Sequence, residues 1–390
     1  MSTHRRYLEV QFHTYFPGGE PEGYVEAPGR VNLIGEHIDY HGLPVLPVAI
    51  NKKIRIAFRT RTDSRICVRN DSNRFEPRDF DWTTELTSLA PGDWGNYLLA
   101  AANAIGARCG VLQGIDALVM GDIPVAGGLS SSSALITAFT LALLRANRIH
   151  ASFEVLMEIL PEGEQFVGTR GGGMDHAAAL AGRRGCALEI SWNPLQIRHI
   201  QIPEGWSFLA APSLKAAEKS AALREKYNSR RTAGERALAK VGFPSYAELF
   251  AKHTAKEIVR MTIPDGAERR SFTHVVGEAN RVRTAVDAME KNNLHAFANA
   301  MNESHASLRD NLQVSCPEMD HLVECARRAG APGARLTGAG FGGHAVILAN
   351  SEDMPYIRQR LIGSFYPGKK NFDPDLHLLD VKADNGALED

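Results

Sequence analysis

A glycine- and serine-rich run at residues 121–135 has the composition of a phosphate-binding loop. Its sequence is GDIPVAGGLSSSSAL, so two adjacent glycines precede four consecutive serines. Glycines let backbone N–H groups approach an anion closely, and a helix N-terminus adds unpaired N–H groups and a positive dipole end. Residues 115–120 read as a short buried strand and residues 134–147 as an apolar helix. This strand, loop and helix order indicates phosphate chemistry.

Two common nucleotide-binding motifs are excluded at this loop. It contains no G-x-x-x-x-G-K-[ST], so it is not the phosphate loop of the common nucleotide triphosphatases. It also lacks G-x-G-x-x-G followed by an acidic residue, which disfavours a dinucleotide fold. A plain alternative stays open from composition alone, namely a glycine turn followed by a serine that caps the helix.

Composition limits the remaining classes of function. The chain has 390 residues, which favours two domains, and 44 Lys and Arg balance 45 Asp and Glu. This balance provides no general field for nucleic acid or an anionic membrane. The five cysteines are odd in number, widely spaced and without C-x-x-C spacing, so we expect no disulfide framework or zinc site and a reducing compartment. No secretory signal and no apolar run of about 20 residues is visible.

The remaining pattern predicts a mixed α and β chain. Residues 45–57 and 344–348 have strand character, and residues 319–328 and 354–362 are plausible helices. A helix is expected to begin at residues 153–160, where Pro161 should kink or end it. The composition changes near residues 193–204, which we interpret as a domain boundary.

Three segments together resemble one family of kinases. Residues 27–40, APGRVNLIGEHIDY, resemble the galactokinase signature. The loop at residues 124–135 and the segment LTGAGFGG at residues 336–343 resemble the second and third motifs of the wider group of galactokinase, homoserine kinase, mevalonate kinase and phosphomevalonate kinase (GHMP kinases). The chain is therefore identified as a member of the galactokinase family, with the segments at residues 168–175 and 130–135 also similar to N-acetylgalactosamine kinase.

The resemblance implies a fold and a division into domains. The expected fold class is α/β (α+β) in the two-domain GHMP-kinase architecture. An N-terminal domain like ribosomal protein S5, residues 1–200, would carry the phosphate loop and the sugar-recognition motif. A C-terminal ferredoxin-like α/β domain would span residues 201–390.

The resemblance also assigns the catalytic pair and the sugar site. Asp175 would lie beside the attacking hydroxyl as a base or an orienting carboxylate, and the Arg30 guanidinium would keep it ionised. A structural ion pair is the alternative. Substrate-binding residues would be Glu36, His37, Asp39, Gly172 and Tyr227. A polar turn is the alternative for the first three, and a half-buried helix residue is the alternative for Tyr227.

Nucleotide and Mg²⁺ sites follow from the same resemblance. The metal ligands would be Ser132 and Glu164, with Glu162 as the reserve, since Mg²⁺ takes few carboxylates plus phosphate oxygens and water. His176 stands where the family usually has glutamine and would fill a supporting hydrogen bond. Residues 338–343 would brace the phosphate loop. The expected nucleotide-binding residues are Trp94, Pro124, Gly127, Gly128, Leu129, Ser130, Ser131, Ser132 and Ser133.

The activity implied is transfer of phosphate from ATP to the anomeric hydroxyl of galactose. N-acetylgalactosamine kinase, another sugar 1-kinase acting on arabinose or uronic acids, and a non-catalytic galactose sensor stay open as alternatives. The expected partners are small molecules, ATP with Mg²⁺ and a galactose-type sugar, without nucleic acid or membrane. We expect a cytoplasmic monomer or weak dimer.

Overall fold

The N-terminal part of the chain is built around a five-stranded sheet. The structure, a computed structural model, describes residues 3–168, 171–216 and 221–388. The strands are β1 (Gly23–Ile34), β2 (Leu46–Thr60), β3 (Arg65–Asn70), β4 (Arg78–Asp81) and β5 (Ile115–Gly121). They lie in the order β1-β2-β5-β3-β4, and only β3 and β5 pair in parallel. Strands β2 and β5 confirm the two strands predicted in this part.

Helices cover this sheet and carry two of the predicted motifs. They are α1 (Thr3–Tyr15), α2 (Gly95–Cys109), α3 (Ser131–Ala146), α4 (Phe153–Phe166) and α5 (Met174–Ala181). Helix α3 confirms the apolar helix predicted after the phosphate loop. It is buried on nearly all sides, as its apolar sequence requires, and packs against β1 and β2.

Helix α4 does not end at Pro161. It continues to Phe166, so the expectation that the helix ends at Pro161 is wrong, while the alternative of a kink stays a prediction. A proline inside a helix removes one backbone hydrogen bond, and packing against a neighbouring helix offsets that loss. Gly163 provides this packing, because a Cβ there would lie 3.3 Å from the carbonyl oxygen of Ala100 in α2. The continued helix holds Glu164 in a buried position beside the phosphate loop.

A second sheet organises the C-terminal part of the chain. The short hairpin of β6 (Cys186–Ser191) and β7 (Gln196–Gln201) precedes it. The sheet contains β8 (Trp206–Pro212), β9 (Gly333–Leu336), β10 (His344–Asn350) and β11 (Leu379–Val381). It is antiparallel in the order β11-β8-β10-β9, and β10 confirms the strand predicted at residues 344–348.

Helices fill the interval between the strands of this second sheet. They are α6 (Ala221–Lys240), α7 (Tyr246–Lys252), α8 (Ala255–Val259), α9 (Ala267–Glu290), α10 (Leu294–Ser307), α11 (Pro317–Arg328), α12 (Met354–Ser364) and α13 (Pro374–His377). Helices α11 and α12 confirm the two helices predicted near the C-terminus. Helix α9 packs against β1, which brings it behind the sugar-recognition motif.

The main hydrophobic core runs through both parts of the chain. It includes Val31 and Ile56 of the first sheet together with Phe208 of the second and Val275 of α9. The division at residue 200 therefore stays a prediction, although the strands of the two larger sheets do separate near that point. In the part of the chain that the structure describes, no helix is long and apolar enough to cross a bilayer.

Candidate active site

The phosphate loop lines a cavity of about 900 Å³. Ser130 directly precedes α3 with a φ of 60°, and its side chain makes no capping hydrogen bond. Ala126 and Gly128 also have positive φ, at 55° and 74°. Backbone that enters the left-handed region in this way is typical of anion-binding concavities. The simple capping role that composition left open therefore does not describe Ser130.

Two glycines of the third motif pack directly behind this loop. A Cβ on Gly338 would lie 2.5 Å from the carbonyl oxygen of Gly128. A Cβ on Gly343 would lie 2.8 Å from the carbonyl oxygen of Gly127, which the His344 ring also contacts at 2.7 Å. Both glycines have positive φ, so any side chain would be strained as well as crowded. The third motif thus braces the phosphate loop by backbone contact.

Arg30 and Asp175 meet at the base of the loop. The Arg30 Nε and Nη2 atoms donate to the two Asp175 carboxylate oxygens at 2.7 Å and 2.9 Å. Arg30 Nη1 donates to the carbonyl oxygen of Gly128 at 2.8 Å, and the Ser130 hydroxyl donates to Asp175. Burial lowers the pKa of Arg30, but the neighbouring Asp175 and Glu36 charges outweigh it and raise that pKa. The pair is therefore a fixed ionic contact attached to the phosphate loop.

Residues 35–40 of the sugar-recognition motif form a buried turn, the sugar turn, which lies at the same cavity as this pair. Glu36, His37 and Asp39 are all less than 10% exposed, yet each lines the cavity. The Glu36 carboxylate accepts a hydrogen bond from the Gly338 N–H at 2.6 Å and lies 3.6 Å from the Arg335 guanidinium. These partners fix the orientation of the turn, and the remaining lone pairs of its carboxylates can accept hydrogen bonds from hydroxyl groups.

Burial controls the charge state of this turn. It lowers the pKa of His37 to about 3, so the imidazole is neutral. It raises the pKa of Asp39 to about 6, helped by the negative charge of Asp175. It also raises the pKa of Glu36, against the attraction of neighbouring guanidinium groups. The turn therefore combines one neutral ring with carboxylates that burial makes less acidic.

Gly172 and Tyr227 complete this side of the cavity. A Cβ on Gly172 would lie 2.3 Å from the Tyr40 nitrogen and 2.6 Å from the Asp39 Cγ, so only glycine fits here. Tyr227 on α6 is half-buried, and its ring centre lies 5.1 Å from that of His37 and 5.8 Å from that of Tyr40. The structure thus brings all five predicted sugar residues to one cavity wall.

The predicted metal ligands come from two helices, since Ser132 lies in the first turn of α3 and Glu164 near the end of α4. Glu164 is buried, and one carboxylate oxygen accepts from the Ser133 hydroxyl at 2.6 Å. Its other oxygen lies 3.8 Å from His176 Nε2, while His176 Nδ1 contacts the Thr137 hydroxyl at 3.3 Å. Ser132 and Glu164 both line the cavity beside the phosphate loop. This oxygen donor set fits Mg²⁺, which completes its shell with phosphate and water.

Other candidates lie away from this position. The reserve ligand Glu162 has a 60% exposed side chain that faces Arg108 on α2 at 3.7 Å, and it does not line the cavity. No cluster of three His, Cys, Asp or Glu side chains suited to a metal occurs within residues 3–168, 171–216 and 221–388. Thr169 and Arg170, which belong to the motif before Asp175, lie outside the described residues.

The predicted nucleotide residues do not all reach the cavity. Pro124, the two glycines and the first three serines line it, as does Trp94. Leu129 and Ser133 are buried behind it. The carbonyl oxygen of Leu129 accepts from the Arg30 N–H at 3.2 Å, and Ser133 bonds Glu164. In this geometry Leu129 and Ser133 support neighbouring residues of the site.

Sequence reasoning missed two groups of residues at the site. The turn after β3 brings Asn70, Ser72, Arg74 and Phe75 to the cavity beside Trp94, whose ring centre lies 5.6 Å from that of Phe75. No motif marks this turn in the sequence. The second group lies behind the sugar turn, where His274, Glu278 and Arg335 bond it from the C-terminal part of the chain. The sequence does not show that these three side chains are buried, so sequence patterns alone do not identify this group.

Three family models match segments of this chain that carry the residues of the site. The galactokinase galactose-binding signature matches residues 11–60. The GHMP kinases N terminal domain matches residues 96–183, and the GHMP kinases C terminal domain matches residues 285–367. The galactokinase of Roseiflexus sp. is 34% identical over 92% of this chain and 91% of its own length. The chain belongs to the galactokinase family.

Other galactokinases support this assignment over similar lengths. The Bos taurus galactokinase is 35% identical over 88% of each chain, and the Homo sapiens galactokinase is 34% identical over 91% of this chain and 90% of its own. The structure of Lactococcus lactis galactokinase complexed with galactose superposes with a TM-score of 0.86, 26% identity, and coverage of 98% and 99%. A mevalonate kinase at 19% identity and a TM-score of 0.63 shares the fold. The family resemblance and the mixed α/β architecture expected from the sequence are confirmed.

Proposed function

We propose that this protein transfers the γ-phosphoryl group of ATP to the anomeric hydroxyl of α-D-galactose, which yields ADP and α-D-galactose 1-phosphate. The observation that carries the proposal is the position of the Arg30–Asp175 pair. It bonds the phosphate loop through Gly128 and Ser130, and it faces the same cavity as the sugar turn. A hydroxyl bound at the turn and a phosphate bound at the loop would meet at this pair.

The chemistry requires positioning more than covalent participation by the protein. The sugar hydroxyl oxygen attacks the γ-phosphorus, and the bond from that phosphorus to the bridging oxygen of ADP breaks. Asp175 orients the hydroxyl and accepts its proton, which later passes to solvent. Arg30 holds the carboxylate by two hydrogen bonds and offers positive charge beside the transferring group.

Backbone groups and one ion complete the phosphate site. The start of α3 lines the cavity, and its unpaired N–H groups would stabilise phosphate charge. Ser132 and Glu164 would hold Mg²⁺, which when bound neutralises phosphate charge and fixes its orientation. Trp94 and Phe75 would pack against the base. No metal ligand beyond those two side chains is needed, since phosphate oxygens and water supply the rest.

We also propose a location and an assembly state. All five cysteines are free, which suits a reducing compartment such as the cytoplasm, where ATP is abundant. A monomer or weak dimer satisfies the proposed chemistry, because every residue assigned to it comes from one chain. Size-exclusion chromatography with light scattering measures the assembly state directly.

A panel of free sugars with coupled detection of ADP tests the activity. The panel contains galactose, N-acetylgalactosamine, arabinose and galacturonic acid, each with MgATP, and the product is identified by mass spectrometry. We expect galactose to give the highest kcat/KM. A higher value for another sugar would replace galactose in the proposal. Binding of galactose and ATP without ADP release would identify a sensor.

A further inference from the structure

Two residues of α9 hold the backbone of the sugar turn from behind. One Glu278 carboxylate oxygen accepts from the Gly35 N–H at 3.0 Å. His274 Nε2 lies 2.9 Å from the carbonyl oxygen of Glu36. The two side chains are four residues apart on one helix and therefore project from the same face. They bond the turn on either side of the Gly35–Glu36 peptide.

Both residues have fixed hydrogen-bonding roles. Each is fully buried. The Glu36 carbonyl can only accept, so His274 Nε2 carries the proton and Nδ1 accepts from the Ser307 hydroxyl at 3.0 Å. Burial lowers the pKa of His274 further, which keeps the ring neutral. The ring is thus a single tautomer with one donor and one acceptor, and both are used.

The Glu278 carboxylate is also fixed by several hydrogen bonds. The Ser304 hydroxyl donates to it at 2.7 Å and the Arg281 Nε at 2.8 Å. Burial alone would raise its pKa, but the guanidinium groups of Arg281 and Arg335 outweigh burial and lower that pKa to about 2. A buried charge is costly unless it is paired, and an apolar replacement of a whole buried ion pair is often neutral for stability, whereas loss of one partner is destabilising. A buried carboxylate aimed at one backbone N–H therefore indicates a positional task.

The turn it holds has an unusual backbone. Gly35 has a φ of 103° and His37 a φ of 62°, so Glu36 lies between two residues in the left-handed region. Non-glycine residues persist there only when their surroundings hold them. Hydrogen bonds to the Gly35 N–H and the Glu36 carbonyl oxygen fix the Ile34–Gly35 and Glu36–His37 peptide planes, which flank the Gly35–Glu36 pair. They therefore set the direction of the Glu36 and His37 side chains.

We propose that His274 and Glu278 are positioning residues for sugar recognition, a backbone clamp that holds Glu36 and His37 in their binding orientation. This role rests on the proposed function for the identity of the sugar. The clamp itself acts on the turn whether or not a sugar is bound. It contacts neither Arg30 nor the phosphate loop in any described hydrogen bond, so it acts on sugar affinity and spares nucleotide affinity.

The test compares variants that keep or remove each hydrogen bond. Glu278→Gln retains an oxygen that accepts from the Gly35 N–H, whereas Glu278→Leu removes it. His274→Gln retains a donor for the Glu36 carbonyl oxygen, whereas His274→Leu removes it. A buried unpaired backbone group is costly, so we expect each Leu variant to raise the KM for galactose about 10- to 100-fold. The KM for ATP should change less than about threefold, and the Gln variants should recover most of the loss.

A matched control separates positioning from general stability. Met289→Ala truncates another buried side chain of α9, eleven residues after Glu278 and outside the site. It should lower the melting temperature while leaving both KM values nearly unchanged. Equal increases in both KM values for the Leu variants, or the same sugar effect from Met289→Ala, would contradict the clamp.

Hydrogen–deuterium exchange makes the test independent of the substrate. Peptides that cover residues 33–40 of the ligand-free protein should exchange faster in Glu278→Leu and His274→Leu than in the wild type and in Met289→Ala. Unchanged exchange in this turn would overturn the clamp even if galactose is the substrate. Faster exchange without phosphorylation of any sugar in the panel would keep the clamp and reject the proposed activity.

Discussion

The phosphate loop and the sugar turn line the same cavity but are held by different means. The phosphate loop is shaped by backbone packing. Gly343 lies so close to the loop that a Cβ on it would clash with the Gly127 carbonyl oxygen. The sugar turn is shaped by buried side chains, with the Glu36 carboxylate bonded to the Gly338 N–H and close to Arg335. A phosphate group has several similar oxygens and accepts from any N–H nearby, whereas sugar hydroxyls require donors and acceptors at fixed places.

The largest expected effect lies where the two regions meet. Asp175→Ala removes the carboxylate beside the attacking hydroxyl and should lower kcat by about 10²- to 10⁴-fold. Binding of an ATP analogue, measured by calorimetry, should change little, because the backbone of the phosphate loop is untouched. Asp175→Asn serves as the control that keeps the shape and loses the charge. Turnover of either variant within tenfold of the wild type would remove Asp175 from its catalytic role.

A single methyl group should disturb the phosphate loop alone. Gly343→Ala places a Cβ 2.8 Å from the Gly127 carbonyl oxygen at a residue with a φ of 78°. Strain of this kind costs about 1–3 kcal/mol, so we expect the KM for ATP to rise about 5- to 100-fold. The KM for galactose should change less than about threefold, as measured by steady-state kinetics.

Gly363→Ala is the matched control for that methyl group. A Cβ at Gly363 on α12 would meet no atom within 4 Å. Alanine favours a helix interior over glycine, so this variant should be as active as the wild type and slightly more stable. If Gly343→Ala raises the KM for galactose as much as that for ATP, the two regions are coupled and the contrast between them is wrong.

The smallest expected effect is a pH dependence of the free energy of unfolding that arises from Asp39 in the sugar turn. The pKa of Asp39 is about 6 in the folded protein against 3.8 for an ordinary aspartate, so the folded state holds this proton more tightly. The stability gained from protonation is complete below pH 3.8 and is lost as the pH rises through about 6. The Asp39→Asn side chain does not titrate, so this variant does not lose stability in this way as the pH rises. Relative to the wild type, its free energy of unfolding should therefore increase by roughly 2 kcal/mol between pH 4 and pH 7.

Urea unfolding at pH 4, 5, 6 and 7 measures this difference. Asp265→Asn removes one charge from a side chain that is 93% exposed and is the control for loss of a carboxylate. A difference between Asp39→Asn and the wild type that stays constant over this range would show that burial does not control the charge of the turn.

The sequence motifs predict the residues that line the cavity much better than the residues that support them from behind. The predicted catalytic and sugar residues converge on one cavity, although they come from a strand, a turn, a helix start and a helix interior. Leu129 and Ser133 belong to the same motif yet lie behind the cavity wall, which a linear motif cannot indicate. His274 and Glu278 reach the sugar turn from more than 230 positions away, and only tertiary packing brings them there. Pro161 does not end α4, which continues to Phe166 and packs closely on α2 at Gly163.

These long sequence separations also bear on how the protein folds. The Gly35 N–H and the Glu36 carboxylate find their partners 243 and 302 residues later in the chain. Contacts between distant residues form late, because the intervening chain must first be ordered. During synthesis the sugar turn therefore leaves the ribosome long before the residues that shape it. Affinity for the sugar arises only when nearly the whole chain has emerged, which makes sugar binding a readout of completed folding.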